Sequence, residues 1–251
     1  MPDGVRAVFL LEGLDMIAFV QIAEVFYFNS GTNTLTLSST QPRTAGNRNV
    51  VLVNWYQPNQ SASLGVTSVS DTDGNTYTPL GASIFDASLY FGVGAYECRS
   101  IKPGAGTNTI TIFVDGNNFG NFNGAACVEY SGTNASAASY GYNEHGSTSG
   151  GTIGLSLTPA TVGDVMVGWF GVTDATTTGN INTLRGTVQP SGGQPDSLWD
   201  EYTTTSLAAH SVGGSALTFG CVVGCVMPSG LSTYQPGPPG GPKVSVAAGG
   251  W

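Results

Sequence analysis

A rhythm constrains this chain more than anything else in it. Short runs of β-branched and aromatic residues recur along its length, separated by Gly, Asn, Ser and Pro. No stretch keeps a 3.6-residue apolar period over three turns. Strands are expected at Ile17–Phe28, Thr34–Ser38, Asn49–Tyr56, Gly65–Ser70, Thr76–Leu80, Ser88–Gly92, Asn108–Val114, Asn123–Ser131, Thr152–Thr158, Asp164–Val172, Leu198–Thr205 and Ser215–Val226, with a weaker one near Asn182–Val188. Val50-Val51-Leu52-Val53 reads as buried on both faces. In Asn108–Val114, Ile110, Ile112 and Val114 face one way and Thr109, Thr111 and Phe113 the other. Asp73-Gly74-Asn75 is the strongest hairpin signal, with Thr76–Leu80 as the return strand. The one possible helix is Val5–Leu14. Strands at this spacing without helices between them predict an all-β fold, an antiparallel two-sheet β-sandwich of jelly-roll type with roughly a dozen short strands.

Composition narrows the function. Only 9% of the 251 residues are charged, and seven Lys and Arg against sixteen Asp and Glu leave a net charge of −9. A phosphate backbone would be repelled, so nucleic acid is not an expected partner. The N-terminal apolar run is interrupted by Glu12, Asp15 and Glu24, so neither a secretory leader nor a membrane-spanning helix is expected. Residues 1–15 form an extension, 16–227 the sandwich, and 228–251 an arm dominated by Pro and Gly that cannot build a core of its own. Lys243-Val244-Ser245-Val246 could add a strand to another sheet edge.

The order Ile17–Gln21, Thr44–Asn47, Val50–Val53, Thr67–Asp71, Gly74–Thr78, Ser88–Phe91, Gly106–Thr111 and Val128–Gly132 resembles a β-sandwich module that recurs in bacterial surface, secreted and phage-encoded proteins. The likeness covers about residues 16–226. It implies the sandwich fold and an extracellular or virion setting, and it carries no catalytic signature.

Candidate chemistry is sparse. Only His145, in a polar loop, and His210, near a turn, could act as imidazole bases, and no nucleophile elbow is present. Carboxylates that could pair for glycoside cleavage are Asp71/Asp73, Asp196/Asp200/Glu201 and Glu97/Glu129. Glu129 is expected on an outward strand face. Asp71–Asn75 clusters oxygen ligands that could take calcium, although an Asp-Gly turn explains the residues without metal. Cys98, Cys127, Cys221 and Cys225 read as buried free thiols. A cross-strand Cys98–Cys127 disulfide is the alternative. Cys221 and Cys225, about 13 Å apart along a strand, cannot bridge.

No cofactor, metal site or enzymatic activity is expected. The leading expectation is a structural protein of an extracellular or viral assembly, a capsid decoration or cement-type component. Its partners would be copies of itself or other structural proteins, with no membrane insertion. Assembly would run through Val8, Phe9, Leu10 and Leu11 at one end and Tyr234, Lys243, Val244, Val246 and Trp251 at the other. The alternative is a glycan-binding or adhesin-like surface module, with Tyr140, Tyr142, Trp199 and Tyr202 stacking on sugar rings.

Overall fold

A computed structural model describes residues 16–27, 33–56, 65–86, 91–114, 123–147, 152–171, 177–179, 183–188, 196–202, 207, 209–215 and 220–230. Every regular element among them is a β-strand, and all pairings are antiparallel. The first half holds β1 (Ala18–Tyr27), β2 (Thr34–Ser38), β3 (Arg48–Tyr56), β4 (Val66–Asp71), β5 (Thr78–Pro79), β6 (Ile84–Asp86), β7 (Phe91–Cys98), β8 (Thr109–Val114) and β9 (Asn123–Ser131). The second holds β10 (Tyr140–Ser147), β11 (Thr152–Leu157), β12 (Val165–Gly171), β13 (Thr177–Gly179), β14 (Thr183–Val188), β15 (Asp196–Tyr202), β16 (His210–Ser215) and β17 (Gly220–Met227).

The expected sandwich is present in duplicate. In the first half the sheet β1-β9-β3-β7-β5, with β6 also on β7, is covered by β2-β8-β4. In the second, β10-β17-β12-β15-β14 is covered by β11-β16-β13. If β5 and β6 are taken as one interrupted strand, both halves have the same winding. The first, eighth, third, sixth and fifth strands share one sheet in that order, and the second, seventh and fourth share the other, a jelly-roll winding with the fifth strand in the larger sheet.

The duplication leaves a trace in the residues. Thr34-Leu35-Thr36-Leu37-Ser38 leads through Pro42 to Thr44-Ala45-Gly46-Asn47. Thr152-Ile153-Gly154-Leu155-Ser156 leads through Pro159 to Thr161-Val162-Gly163-Asp164. The turns also match. Asn47 N–H donates to Thr44 O and Asp164 N–H to Thr161 O, each at 3.2 Å. Gly46 and Gly163 follow at φ +81° and +93°, a region costly for any residue with a Cβ. Each turn then feeds a central strand, β3 or β12.

The two units stack through their larger sheets. Val50, Leu52, Phe91, Val93, Ala126, Val128 and Tyr130 meet Val165, Val167, Trp169, Leu198, Val223 and Met227 in one buried core. A second core (Val51, Val53, Trp55 and Cys127 with Leu35, Leu37, Ile110 and Ile112) lies under β2-β8-β4. A third (Met166, Phe170, Val222 and Val226 with Leu157) lies under β11. The central sheets are therefore covered on both faces, which is why β3 and β12 are near-continuous apolar runs. Each buried Val, Leu or Phe stabilises by about 1.5–3 kcal/mol relative to exposure. Two polar pairs set the alignment inside the shared core. Trp169 Nε1–H donates to Asn54 Oδ1 at 2.6 Å, and Tyr130 O–H donates to Asp200 Oδ2 at 2.7 Å.

Several local expectations are corrected. The Asp73-Gly74 turn is real, with Gly74 at φ +68°, but it is not a hairpin. β4 pairs with β8, whereas the shorter return segment β5 pairs with β7 in the other sheet. The turn carries the chain between layers, as jelly-roll winding requires. The strand expected at Ser88–Gly92 runs instead over Phe91–Cys98, buried throughout. His145 lies in β10, opposite Val222, rather than in a loop. His210, expected near a turn, is the first residue of β16, opposite Leu157. Val5–Leu14 lies outside the described residues.

Candidate functional site

The ionisable groups singled out in the sequence are dispersed, and Glu97, Glu129, Asp71 and Asp200 each have a structural task. Glu129 does not face outward. It is fully buried, because β9 is a central strand with no wet face. Its Oε1 accepts from Thr44 N–H at 2.9 Å and Asn47 Nδ2 at 2.7 Å, and its Oε2 accepts from Gln21 Nε2 at 2.7 Å. The buried Arg43 guanidinium lies 3.6 Å away. Glu129 thus caps the turn that enters β3. In the second unit Asp164 has the same role, accepting from Thr161 N–H at 2.9 Å, Ser229 N–H at 2.8 Å and the Tyr140 hydroxyl.

Glu97 pairs across the ladder with Val50, whereas Glu129 pairs with Asn49. Cross-strand partners share a face and neighbours alternate, so these two carboxylates point to opposite sides of one sheet. They cannot flank a glycosidic bond. Glu97 Oε2 accepts from Arg48 Nη1 at 2.6 Å and from Ser139 N–H and O–H at 3.0 and 2.8 Å. Arg48 Nη2 donates to the carbonyls of Asn134 and Ala137 at 2.7 and 2.5 Å. This pair therefore clips the segment joining the two units onto β3 and β7.

Asp71 accepts four side-chain or turn hydrogen bonds. They come from Asn75 N–H (2.8 Å), Asn75 Nδ2 (2.7 Å), Tyr77 O–H (3.0 Å) and Asn108 Nδ2 (2.9 Å). Burial pushes its carboxyl up, but these donors outweigh burial and hold it below the usual range. Donors occupy the lone pairs that a calcium ion would need. Asp200 lies at the unit interface and receives Arg185 Nε at 2.8–2.9 Å on both oxygens. Burial raises its carboxyl against the opposing pull of Arg185 and Tyr130. The side chains of Asp196, Glu201, His145 and His210 lie outside what the structure describes. Among the described residues, no three His, Cys, Asp or Glu side chains converge as metal ligands.

The expected sugar-stacking residues divide in the same way. The Tyr140 ring packs on the third core, and its hydroxyl bridges Asp164 and Ala160 N–H. Tyr142 packs against the shared core. Both rings are engaged in the fold. Trp199 and Tyr202 sit on β15, their side chains undescribed. Val8, Phe9, Leu10, Leu11, Tyr234, Lys243, Val244, Val246 and Trp251 lie outside the described residues.

Cys98 and Cys127 are buried and unbridged, as are Cys221 and Cys225. Cys98 lies opposite Asn49 and Cys127 opposite Val51, on strands flanking β3. Two strand spacings of about 4.8 Å put them beyond the ~7 Å limit for a disulfide. Burial raises the Cys127 thiol to about 11 and the Cys225 thiol to about 12.

One open cleft of about 220 Å³ is lined by Thr76, Thr78, Glu97, Cys98, Arg99, Ser100 and Lys102. Strand β7 supplies Glu97 and Cys98, and the loop after it supplies Arg99, Ser100 and Lys102. That loop is pinned: Ile101 N–H donates to Asn47 O at 2.8 Å and Lys102 N–H to Asn75 Oδ1 at 2.7 Å. The sequence reading misses this site, although a signal exists. Arg99 and Lys102 place two of the chain's seven Lys and Arg within four residues.

No family model, curated protein or solved structure matches the chain. Among the described residues, no helix is long and apolar enough to cross a membrane.

Proposed function

We propose that the chain is a non-enzymatic structural protein of an extracellular or virion assembly, a surface component of the decoration or cement type. It would join copies of itself, or other structural proteins, through its terminal extensions. The observation that carries this reading is the stacking of two jelly-roll units on one apolar core, which makes a rigid block. Glu129, Asp164 and Asp200 support it, since each fastens a turn or a unit contact rather than lining an open cleft. The setting rests on the resemblance to bacterial surface and phage-encoded sandwich modules.

The test is truncation. A chain ending at Gly230 keeps Ser229, which bridges Thr133 and donates to Asp164. Sedimentation and light scattering of this chain and the full chain should show an unchanged fold with assembly lost. A truncated chain that assembles as well as the full one would overturn the proposal.

A further inference from the structure

The cleft beside β7 has an electrostatic character of its own among the described residues. The net charge is −9. Among the described cations, Arg43 and Arg48 are buried, and Arg185, 23% exposed, is engaged by Asp200. The other two, Arg99 (41% exposed) and Lys102, both open onto this one cleft.

Both are held yet keep donors to offer. Arg99 Nε lies 3.6 Å from Glu97 Oε1, which orients the guanidinium and leaves its Nη groups for a ligand. Lys102 Nζ gives one N–H to Gly74 O at 2.8 Å and has two more. Glu97 is the one carboxylate in the lining, and Arg48 balances it from behind. Asp71, behind Asn75, is already ringed by donors.

The shape and the remaining lining define the ligand. Thr76, Thr78 and Ser100 are exposed residues around the two cations; the Thr78 hydroxyl donates to Glu97 O at 3.4 Å and keeps its oxygen as an acceptor. At about 220 Å³ the space lies below the ~300 Å³ where drug-sized sites begin. The chain's overall negative charge disfavours a polyanion but tolerates one small anion. A guanidinium fork recognises a carboxylate through two parallel hydrogen bonds.

We infer that this cleft binds a carboxylate-bearing monosaccharide. Arg99 and Lys102 take the carboxylate, and Thr76, Thr78 and Ser100 take ring hydroxyls.

The full chain is titrated by calorimetry and NMR, at low ionic strength, with glucuronate, galacturonate, N-acetylneuraminate, glucose and acetate. At least one sugar acid should bind with a Kd of about 1 mM, while glucose and acetate bind at least about tenfold more weakly. Arg99→Gln and Lys102→Met should each weaken that binding about tenfold or more, since each removes at least one charge-assisted hydrogen bond. Arg99 is part-exposed beside Glu97 and Lys102 is exposed with one bond to Gly74 O, so the thermal transition should move by no more than about 4 °C, which separates lost binding from lost fold. Absence of saturable binding by all three sugar acids overturns the inference. So does acetate binding as tightly as the sugars, or sugar affinity unchanged in both variants. The assembly proposal is read by particle mass and stands or falls separately.

Discussion

Arg48→Met should be among the most damaging single substitutions in the chain. The Arg48 and Glu97 side chains are 0% and 1% exposed, and the guanidinium holds Glu97, Ser139 and the carbonyls of Asn134 and Ala137. Methionine fills comparable volume but leaves the Glu97 charge buried, with Ser139 and the part-exposed Arg99, 3.6 Å away, as partners. Removing one member of a buried ion pair costs about 3–5 kcal/mol. For a chain of this size that lowers Tm by roughly 6–20 °C. Glu97→Gln alone should cost about the same, since the Arg48 charge is then uncompensated. The double variant should lose only about 1–3 kcal/mol, because no charge is stranded and the chief deficit is the donor to two carbonyls. Urea unfolding of all four proteins closes the cycle. A loss under about 1 kcal/mol for Arg48→Met, or strict additivity in the cycle, would refute the reasoning.

Three further outcomes are expected. Burial pushes the Glu24 carboxyl from 4.5 up to about 7, so its stabilising contribution is complete below pH 4.5 and is lost as pH rises through 7. Glu24→Gln should therefore gain roughly 1–2 kcal/mol at pH 8, discounted for partial solvent access, and nothing at pH 4; an equal effect at both pH values contradicts this. A Cβ at Gly92 would lie 2.0 Å from Trp55 Cε2 in a fully buried core, so Gly92→Ala should destabilise by about 1–3 kcal/mol or more in urea unfolding. Cys127 and Cys225 should resist a disulfide reagent in the native protein and react on unfolding, as mapped by mass spectrometry; rapid native labelling would be inconsistent with their burial.

The parts of the fold legible in the sequence are those where side chains alone decide. Asn123–Ser131 and Thr34–Ser38 read off residue for residue, and Ile110, Ile112 and Val114 bury the face that their alternation indicates. Tyr140–Ser147 and His210–Ser215 were hidden because Gly, Asn, His and Ser carry little strand signal. Their pairing depends on β17 and β11 across the sheets. Asp73-Gly74 announces a turn, but no local residue says which sheet receives the chain afterwards. Glu129 breaks an apolar run and so looks wet, yet its environment is set by strands and a turn distant in sequence. The paired Thr44–Asn47 and Thr161–Asp164 turns were readable as a repeat. The cleft was legible only as a small concentration of positive charge.

Whether the two units behave as one body is read most directly by native-state hydrogen exchange. Amides of β3 and β9 should open with the same free energy as those of β12 and β17, within about 1 kcal/mol, because one core holds both. If β12 and β17 open several kcal/mol earlier while β3 and β9 stay protected, the units fold independently and the rigid double block does not exist.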